Sequence, residues 1–319
     1  MILITGSTGF VGMNLLKKLS ENKNQIVAMY RSEEKKKLVE HFFNDTGSNF
    51  ENIIWRKSNI NDFVGLNEVF IGITKVYHCA GFISFSIDDN HKLYEINKRG
   101  TENIVNLCIE KKISKLVYIS SISALGEEVN KLSIDENSIW NNSNEQTFYS
   151  YSKYLAELEV WRGIEEGLKA VIINPGIIMG KCIRKDTPQS KIEKIIIELP
   201  VCLYTNGKSG FVNISDVVEI STKLMKSDIS NERFILVSKN YDYKTIIKKL
   251  KNSLKISKPE ISIKKEFLYI ILFFDFIFSS LRLKKKYLSF NLIITMFNKK
   301  IYNGNKIIKF LPYFKYDKI

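Results

Sequence analysis

A tyrosine followed four residues later by a lysine occurs four times in this chain, at Tyr94/Lys98, Tyr149/Lys153, Tyr204/Lys208 and Tyr302/Lys306. On a helix, side chains at i and i+4 project from one face. An ammonium placed there lowers the pKa of the phenol, which can then exchange a proton with a carbonyl or alcohol oxygen. With 15 tyrosines in the chain, the spacing alone selects nothing. Tyr149/Lys153 differs in context, because it opens a long helical pattern over Tyr149–Glu166 with Leu155, Leu158 and Trp161 on one side. Upstream, the apolar run Lys115–Ile119 ends at Ser120, Ser121 and Ser123, hydroxyls suited to holding the oxygen that the phenol protonates.

A second constellation stands at the N-terminus. Ile2-Leu3-Ile4 reads as a buried strand, glycines follow at 6, 9 and 12, and a helical pattern runs on through Leu15, Leu16 and Leu19. A strand that turns sharply into a helix presents free N–H groups and the positive end of a dipole at one point, where a pyrophosphate fits. Gly6 permits the turn, Gly9 lets phosphates approach, and Gly12 lets helix pack on strand. Thr8, Phe10 and Val11 complete the loop.

Further strands are predicted at Gln25–Tyr30, Ile53–Arg56, Lys75–His78, Lys115–Ile119, Ala170–Ile173 and Phe234–Val237. Helices are predicted at Asp62–Phe70, Leu93–Lys112, Tyr149–Glu166 and Asp216–Met225. Alternating strands and helices imply right-handed βαβ units, and continuous apolar runs such as KLVYIS imply strands covered on both faces. The expected fold is α/β, a doubly wound parallel sheet (Rossmann fold) with a smaller C-terminal substrate-binding lobe. The core is placed at 1–175 and the lobe at 176–319, interleaved with the last core strand and helices near 211–240.

The net charge of +14 is spread along the chain without a nucleic-acid-binding signature, so most of it reads as solvated surface. Cys79, Cys108, Cys182 and Cys202 form no CxxC, and His41, His78 and His91 show no metal spacing. Free thiols, no metal, no leader ahead of the first strand and a cytoplasmic location are the expectations.

The chain resembles the extended short-chain dehydrogenase/reductases, the NAD(P)-dependent epimerase/dehydratase superfamily, and looks closest to its dihydroflavonol-4-reductase-like and 3β-hydroxysteroid-dehydrogenase-like branch. The resemblance rests on Thr5–Gly12, His78-Cys79-Ala80-Gly81, Asn97 with Gly100-Thr101, Ile119–Gly126, Tyr149 with Ser152-Lys153 and Ala156-Glu157, and Asn174-Pro175-Gly176. These come in the family's order over roughly residues 1–240. It implies that Ser121, five residues before Gly126, is the catalytic hydroxyl, with Ser120 and Ser123 as competitors. Tyr149 then becomes the acid/base and Lys153 its partner and a ligand of the nicotinamide ribose, with Asn97 beside them. Ala80, Gly81, Pro175 and Gly176 would border the cofactor, and Asn59 with Ile60 would meet the adenine, Asn59 replacing a usual Asp. Phe82, Ser84 and Ser123 would face substrate.

An acidic residue about 20 positions past the glycines ordinarily binds the ribose 2′-hydroxyl of NAD. This chain has Arg31 and Ser32 there, followed by Lys35 and Lys36, a set suited to a 2′-phosphate. NADP is therefore expected, with NAD as the alternative. The apolar Phe82–Ser86 segment suits a carbonyl or alcohol of lipid, terpenoid or aromatic type. A nucleotide-sugar epimerase or dehydratase would need a diphosphate site in 176–215, where no convincing basic cluster is seen beyond Lys181, Arg184 and Lys185; a non-catalytic dinucleotide-binding protein is the third possibility. Phe267–Leu281, flanked by Lys264-Lys265 and by Arg282 with Lys284–Lys286, is shorter than the ~20 residues a membrane span needs. A buried helix of the lobe is the preferred reading, and peripheral membrane contact through 264–286 the alternative. A homodimer is a further possibility.

Overall fold

The computed structural model describes residues 1–21, 25–48, 51–126, 133–141, 146–180, 188–280, 289–317 and 319. Strands and helices alternate through the first half. They are β1 (Ile2–Thr5), α1 (Phe10–Ser20), β2 (Ile26–Tyr30), α2 (Glu33–Asp45), β3 (Ile53–Lys57), α3 (Phe63–Val69), β4 (Lys75–His78), α4 (Asn90–Leu93), α5 (Gly100–Glu110), β5 (Lys115–Ile119), α6 (Phe148–Glu165) and β6 (Ala170–Pro175). The second half adds β7 (Ile177–Met179), α7 (Pro188–Glu198), β8 (Cys202–Tyr204), β9 (Lys208–Asn213), α8 (Ile214–Lys226), β10 (Glu232–Leu236), β11 (Lys239–Asp242), α9 (Tyr243–Ser253), β12 (Glu260–Ser262), α10 (Lys265–Ser280), α11 (Phe290–Phe297) and α12 (Lys306–Phe310).

Seven strands form one sheet in the order β10-β6-β5-β4-β1-β2-β3. Every pairing in it is parallel. The strand order reverses between β1 and β4, where Thr5 lies opposite His78. In a doubly wound sheet, ligands bind beyond the carboxyl ends of the strands at this reversal. Alternate strand residues feed two cores. Ile4, Val117 and Ile173 face α1 and α8 with Leu15, Leu16 and Val217, while Leu3, Tyr118 and Ile172 face α5 and α6 with Ile104, Leu107 and Val160. The expected strands Lys75–His78 and Lys115–Ile119 are found with those bounds.

Three departures have physical causes. Helix α2 had no counterpart in the sequence reading, although Ser32 caps it by accepting a hydrogen bond from Lys35 N and Glu33 and Glu34 fill its first turn. In α6 the buried stripe is Tyr149, Ser152, Lys153, Ala156, Glu157 and Val160, while Leu158 is 43 % exposed. The side carrying Leu155, Leu158 and Trp161 is therefore not the one turned inward, because the polar residues facing the sheet find partners there. Finally, the start of α10, the part whose side chains are described, is not buried as expected. Leu268 is buried, but Phe267, Ile270 and Ile271 are exposed. Its neighbour is α11, against which Tyr269 stacks on Phe290 with centroids 5.3 Å apart. No helix is long and apolar enough to cross a membrane among the described residues. Arg282 and Lys284–Lys286 lie outside them.

Beyond β6 the chain builds two small sheets, β11-β9-β7 and β12-β8, before and after returning β10 to the large sheet. Gly176, at the crossing, has no room for a side chain: a Cβ would lie 2.5 Å from the Gly210 carbonyl oxygen.

Candidate active site

The glycine loop is built as its spacing implies. Gly6 has φ +65°, a left-handed conformation that favours glycine, and a Cβ there would lie 2.6 Å from the Ala80 backbone. A Cβ on Gly12 would lie 2.2 Å from the Gly6 carbonyl oxygen. Gly9 caps α1 without a side-chain hydrogen bond, and the first turn holds no acidic residue. The N-terminal N–H groups of α1 are thus aimed from the reversal point of the sheet with no carboxylate competing, which fits a dinucleotide pyrophosphate. The loop is tied down by Ser7 Oγ, which donates to Met29 O at 2.8 Å, and by Ala80 N, which donates to Thr5 Oγ1 at 3.3 Å.

At the end of β2, Arg31 is exposed and forms no ion pair among the described residues. Ser32 Oγ is engaged as the α2 cap. Of the two lysines, Lys35 lines a cavity of about 80 Å³ with Thr8, Met13 and Phe42, beside the glycine loop. Lys36 turns to the other side, pairing with Glu40 at 3.6 Å and lying over the Tyr30 and Trp55 rings. Asn59 is exposed with Oδ1 accepting from Asn61 N at 3.3 Å. Ile60 is buried against Gly100 of α5.

The second cluster gathers at the carboxyl ends of β4 and β5 and the start of α6. Of the four Tyr/Lys pairs, it is Tyr149 that meets the serines: the Ser121 hydroxyl lowers the pKa of its buried phenol, against the larger upward push of burial. Ser121 Oγ also accepts from Ser123 N at 3.1 Å. The competing hydroxyl of Ser120 is spent on the Glu157 carboxylate. Phe85 stands edge-on to the Tyr149 ring, with centroids 5.9 Å apart. It is Phe85, rather than Phe82, that walls the phenol. The Phe82 ring instead lies under Lys92 Nζ at 4.2 Å. Ser84 Oγ is committed to Asp89 Oδ2 at 2.6 Å.

Asn97 sits in a π-helical turn, Tyr94–Arg99, between α4 and α5. Such turns re-aim one side chain and recur at functional sites. Its amide is fully used: Oδ1 accepts from Phe82 N at 2.8 Å, and Nδ2 donates to Phe82 O at 3.0 Å and Ser152 Oγ at 2.9 Å. Asn97 therefore fixes the segment after β4 to the start of α6.

Lys153 departs from expectation. Its ammonium donates to Tyr118 Oη at 2.7 Å and to Ile119 O at 3.2 Å. Burial lowers its pKa to about 8, against the opposing influence of Glu157 and Cys79. The Tyr149 phenol is not lowered by the lysine. Burial raises its pKa, partly offset by the hydrogen bond with Ser121. The i,i+4 spacing places both side chains on the inner face of α6, but the amine continues inward to a second phenol that sequence reasoning passed over. The signal was available, since Tyr118 sits in the strand just ahead of the serines.

Behind the serines, Glu157 is buried and accepts from Asn174 Nδ2 at 2.5 Å and Arg233 Nη1 at 3.1 Å as well as from Ser120. Asn174 Nδ2 also donates to Ser121 O at 2.8 Å. Asn174 and Glu157 thereby connect β6 and α6 to the backbone of the serine whose hydroxyl meets Tyr149.

A parallel sheet with this reversal and glycine cradle defines a dinucleotide-binding class. Residues 2–236 match the model of the NAD dependent epimerase/dehydratase family, and the chain belongs to that family. It is 27% identical over 265 residues to a putative dihydroflavonol 4-reductase of Synechocystis sp., covering 81% of this chain and 73% of that one. It is also 27% identical over 266 residues to UDP-glucose 4-epimerase of Vibrio cholerae, covering 81% and 76%. Among solved structures, the UDP-glucuronic acid 4-epimerase of Bacillus cereus in complex with UDP-glucuronic acid and NAD superposes with a TM-score of 0.76 at 17% identity, covering 99% of this chain and 94% of that one.

Proposed function

We propose that this chain is an NADP(H)-dependent oxidoreductase that moves hydride between the nicotinamide and a carbonyl or alcohol carbon, with Ser121, Tyr149 and Lys153 as its catalytic set. The observation that carries the reading is the buried Tyr149 phenol at the start of α6, stacked edge-on against Phe85 and influenced by the Ser121 hydroxyl, on the β4–β5 side of the strand reversal that also holds the glycine cradle. A bound nicotinamide cofactor supplies or accepts the hydride. The protein's part is acid/base and positional. Ser121 and Tyr149 present two hydroxyls to one substrate oxygen, and Tyr149, kept protonated by burial, donates its proton to a carbonyl oxygen as that oxygen gains charge. Lys153 holds cationic charge beneath them. The Phe85 wall supports an apolar carbonyl substrate. Cytoplasmic residence is part of the proposal, as is a core at 1–175 with a lobe from 176. So are self-association as a homodimer and surface contact with a bilayer through the exposed start of α10.

The direct test incubates the purified protein with NADPH and a panel of aliphatic, terpenoid and aromatic aldehydes and ketones, with UDP-glucose and UDP-glucuronic acid in parallel. Stoichiometric NADPH consumption with a carbonyl supports the proposal. Interconversion of a UDP-sugar without net cofactor consumption identifies an epimerase instead, in keeping with the two epimerase likenesses.

Cofactor choice is tested at Arg31. Charge-assisted hydrogen bonds contribute about 1.5–3 kcal/mol, so Arg31→Asp should reduce the preference for NADPH over NADH by about 10- to 100-fold. The measurement is the ratio of dissociation constants by titration of nicotinamide fluorescence. An unchanged ratio removes Arg31 from the site.

A further inference from the structure

We infer that Tyr118 is a positioning residue for Lys153: its phenol oxygen, clamped from the glycine-loop side by His78, sets where the ammonium sits beneath the candidate site. The inference rests on the proposed role of Lys153 and adds a residue to it.

Tyr118 is fully buried in β5. On one side its ring stacks on His78 of β4, with centroids 5.1 Å apart and planes 25° from parallel. His78 cannot turn, because both ring nitrogens are engaged. Nδ1 meets Thr5 Oγ1 at 2.7 Å, at the end of the strand that enters the glycine loop, and Nε2 meets Thr101 Oγ1 at 3.0 Å. Thr101 in turn donates to Asn97 O at 2.5 Å. On the other side the Tyr118 hydroxyl accepts from Lys153 Nζ, and the Thr101 and Ser120 hydroxyls act on it to lower its pKa against the larger upward push of burial. One phenol thus joins His78, which is itself held to the glycine-loop strand and to Thr101, to the helix that carries Lys153.

An ammonium has three N–H groups. Tyr118 Oη and Ile119 O take two, leaving one for a hydroxyl-bearing ligand above. The groups facing Lys153 are Tyr118 from β5, His78 from β4, Cys79 just after β4, and Glu157 from its own helix. Burial keeps His78 neutral and Cys79 and Tyr118 protonated near pH 7. Glu157 already serves Ser120, Asn174 and Arg233. Tyr118 is accordingly the neutral acceptor that stabilises the charged form of a buried amine. Without it the amine loses its proton at lower pH.

The experiment compares wild type, Tyr118→Phe and Lys153→Met by NADPH fluorescence titration between pH 6 and 9.5, with melting by circular dichroism as the folding control. In wild type, affinity should fall as pH rises through about 8, where Lys153 discharges. Tyr118→Phe should move that midpoint to lower pH and weaken binding at pH 7.5 about threefold or more. Lys153→Met should abolish the transition. A wild-type midpoint and affinity in Tyr118→Phe overturns the inference while leaving the Lys153 role intact if Lys153→Met is impaired. Unimpaired NADPH binding by Lys153→Met instead defeats the proposed role of Lys153 itself. A crystal structure of the wild-type NADPH complex supplies a test independent of variant folding. Lys153 Nζ within hydrogen-bond distance of Tyr118 Oη supports the inference, and a separation beyond 4 Å overturns it.

Discussion

Replacing Tyr149 with Phe is expected to lower turnover by about 10²- to 10⁴-fold, the usual contribution of a positioned general acid, and to leave NADPH affinity within about twofold. The substitution deletes one oxygen and keeps the ring, so the edge-on contact with Phe85 survives. What is lost is the buried phenolic proton beside the serine loop. The pH dependence separates this role from a packing role. Burial raises the Tyr149 pKa, so the phenol remains protonated throughout the neutral range. Carbonyl reduction at saturating NADPH should therefore be flat from about pH 6 to 7.5, while alcohol oxidation, which needs the phenolate, should climb with pH toward and beyond the ordinary tyrosine value of about 10. The steepness of the oxidation limb should vanish in Tyr149→Phe. Turnover that survives the substitution would remove Tyr149 from the mechanism.

Glu157→Ala should destabilise the protein by about 3–5 kcal/mol, the range for breaking a buried ion pair from one side. The Glu157 side chain is 2 % exposed and that of Arg233 18 %. Truncation would take the carboxylate from the Arg233 guanidinium, whose Nε already lacks a partner and whose Nη2 keeps Glu136 O, and would leave Asn174 Nδ2 with Ser121 O alone. Glu157→Gln should cost less, because an amide oxygen can still accept from Ser120 and Asn174 while only the pairing with Arg233 is lost. Urea denaturation of the three proteins measures this order. A loss below about 1 kcal/mol in Glu157→Ala would show that water replaces the carboxylate freely. Activity should fall further than stability implies, since Asn174 also holds the Ser121 carbonyl.

The parts of the site legible in the sequence are those defined by local chemistry. Glycines at 6, 9 and 12 between a strand and a helix imply the cradle because only glycine tolerates a φ of +65° at position 6 beside the Ala80 backbone, or a carbonyl 2.2 Å from where a Cβ would stand at position 12. Strands β4 and β5 were legible because both faces are covered and the runs are continuously apolar. The choice of Tyr149/Lys153 among four equal spacings needed its helix context and the motif order of the family.

Other features were hidden for a common reason. Hydrophobic patterning treats a polar residue as solvent-facing, yet the inward stripe of α6 carries Ser152, Lys153 and Glu157, each partnered by a residue distant in the chain. The same applies to Asn97, which a π-helical turn rotates onto the Phe82 backbone. In α10 the converse held: a strongly apolar run reads as buried, and only the arrangement of its neighbours leaves Phe267 and Ile270 exposed.

From its sequence alone this chain discloses a nucleotide-cradling loop, a parallel α/β architecture and a phenol–amine pair at helical spacing, since each depends on backbone geometry and side-chain types within a few residues. The destination of the Lys153 ammonium, the use of Glu157 as a buried brace and the engagement of Ser120 by Glu157 were decided by tertiary structure. Those outcomes depend on which acceptors β4, β5, β6 and β10 bring within about 3 Å of one another once water is excluded, and no local pattern records that.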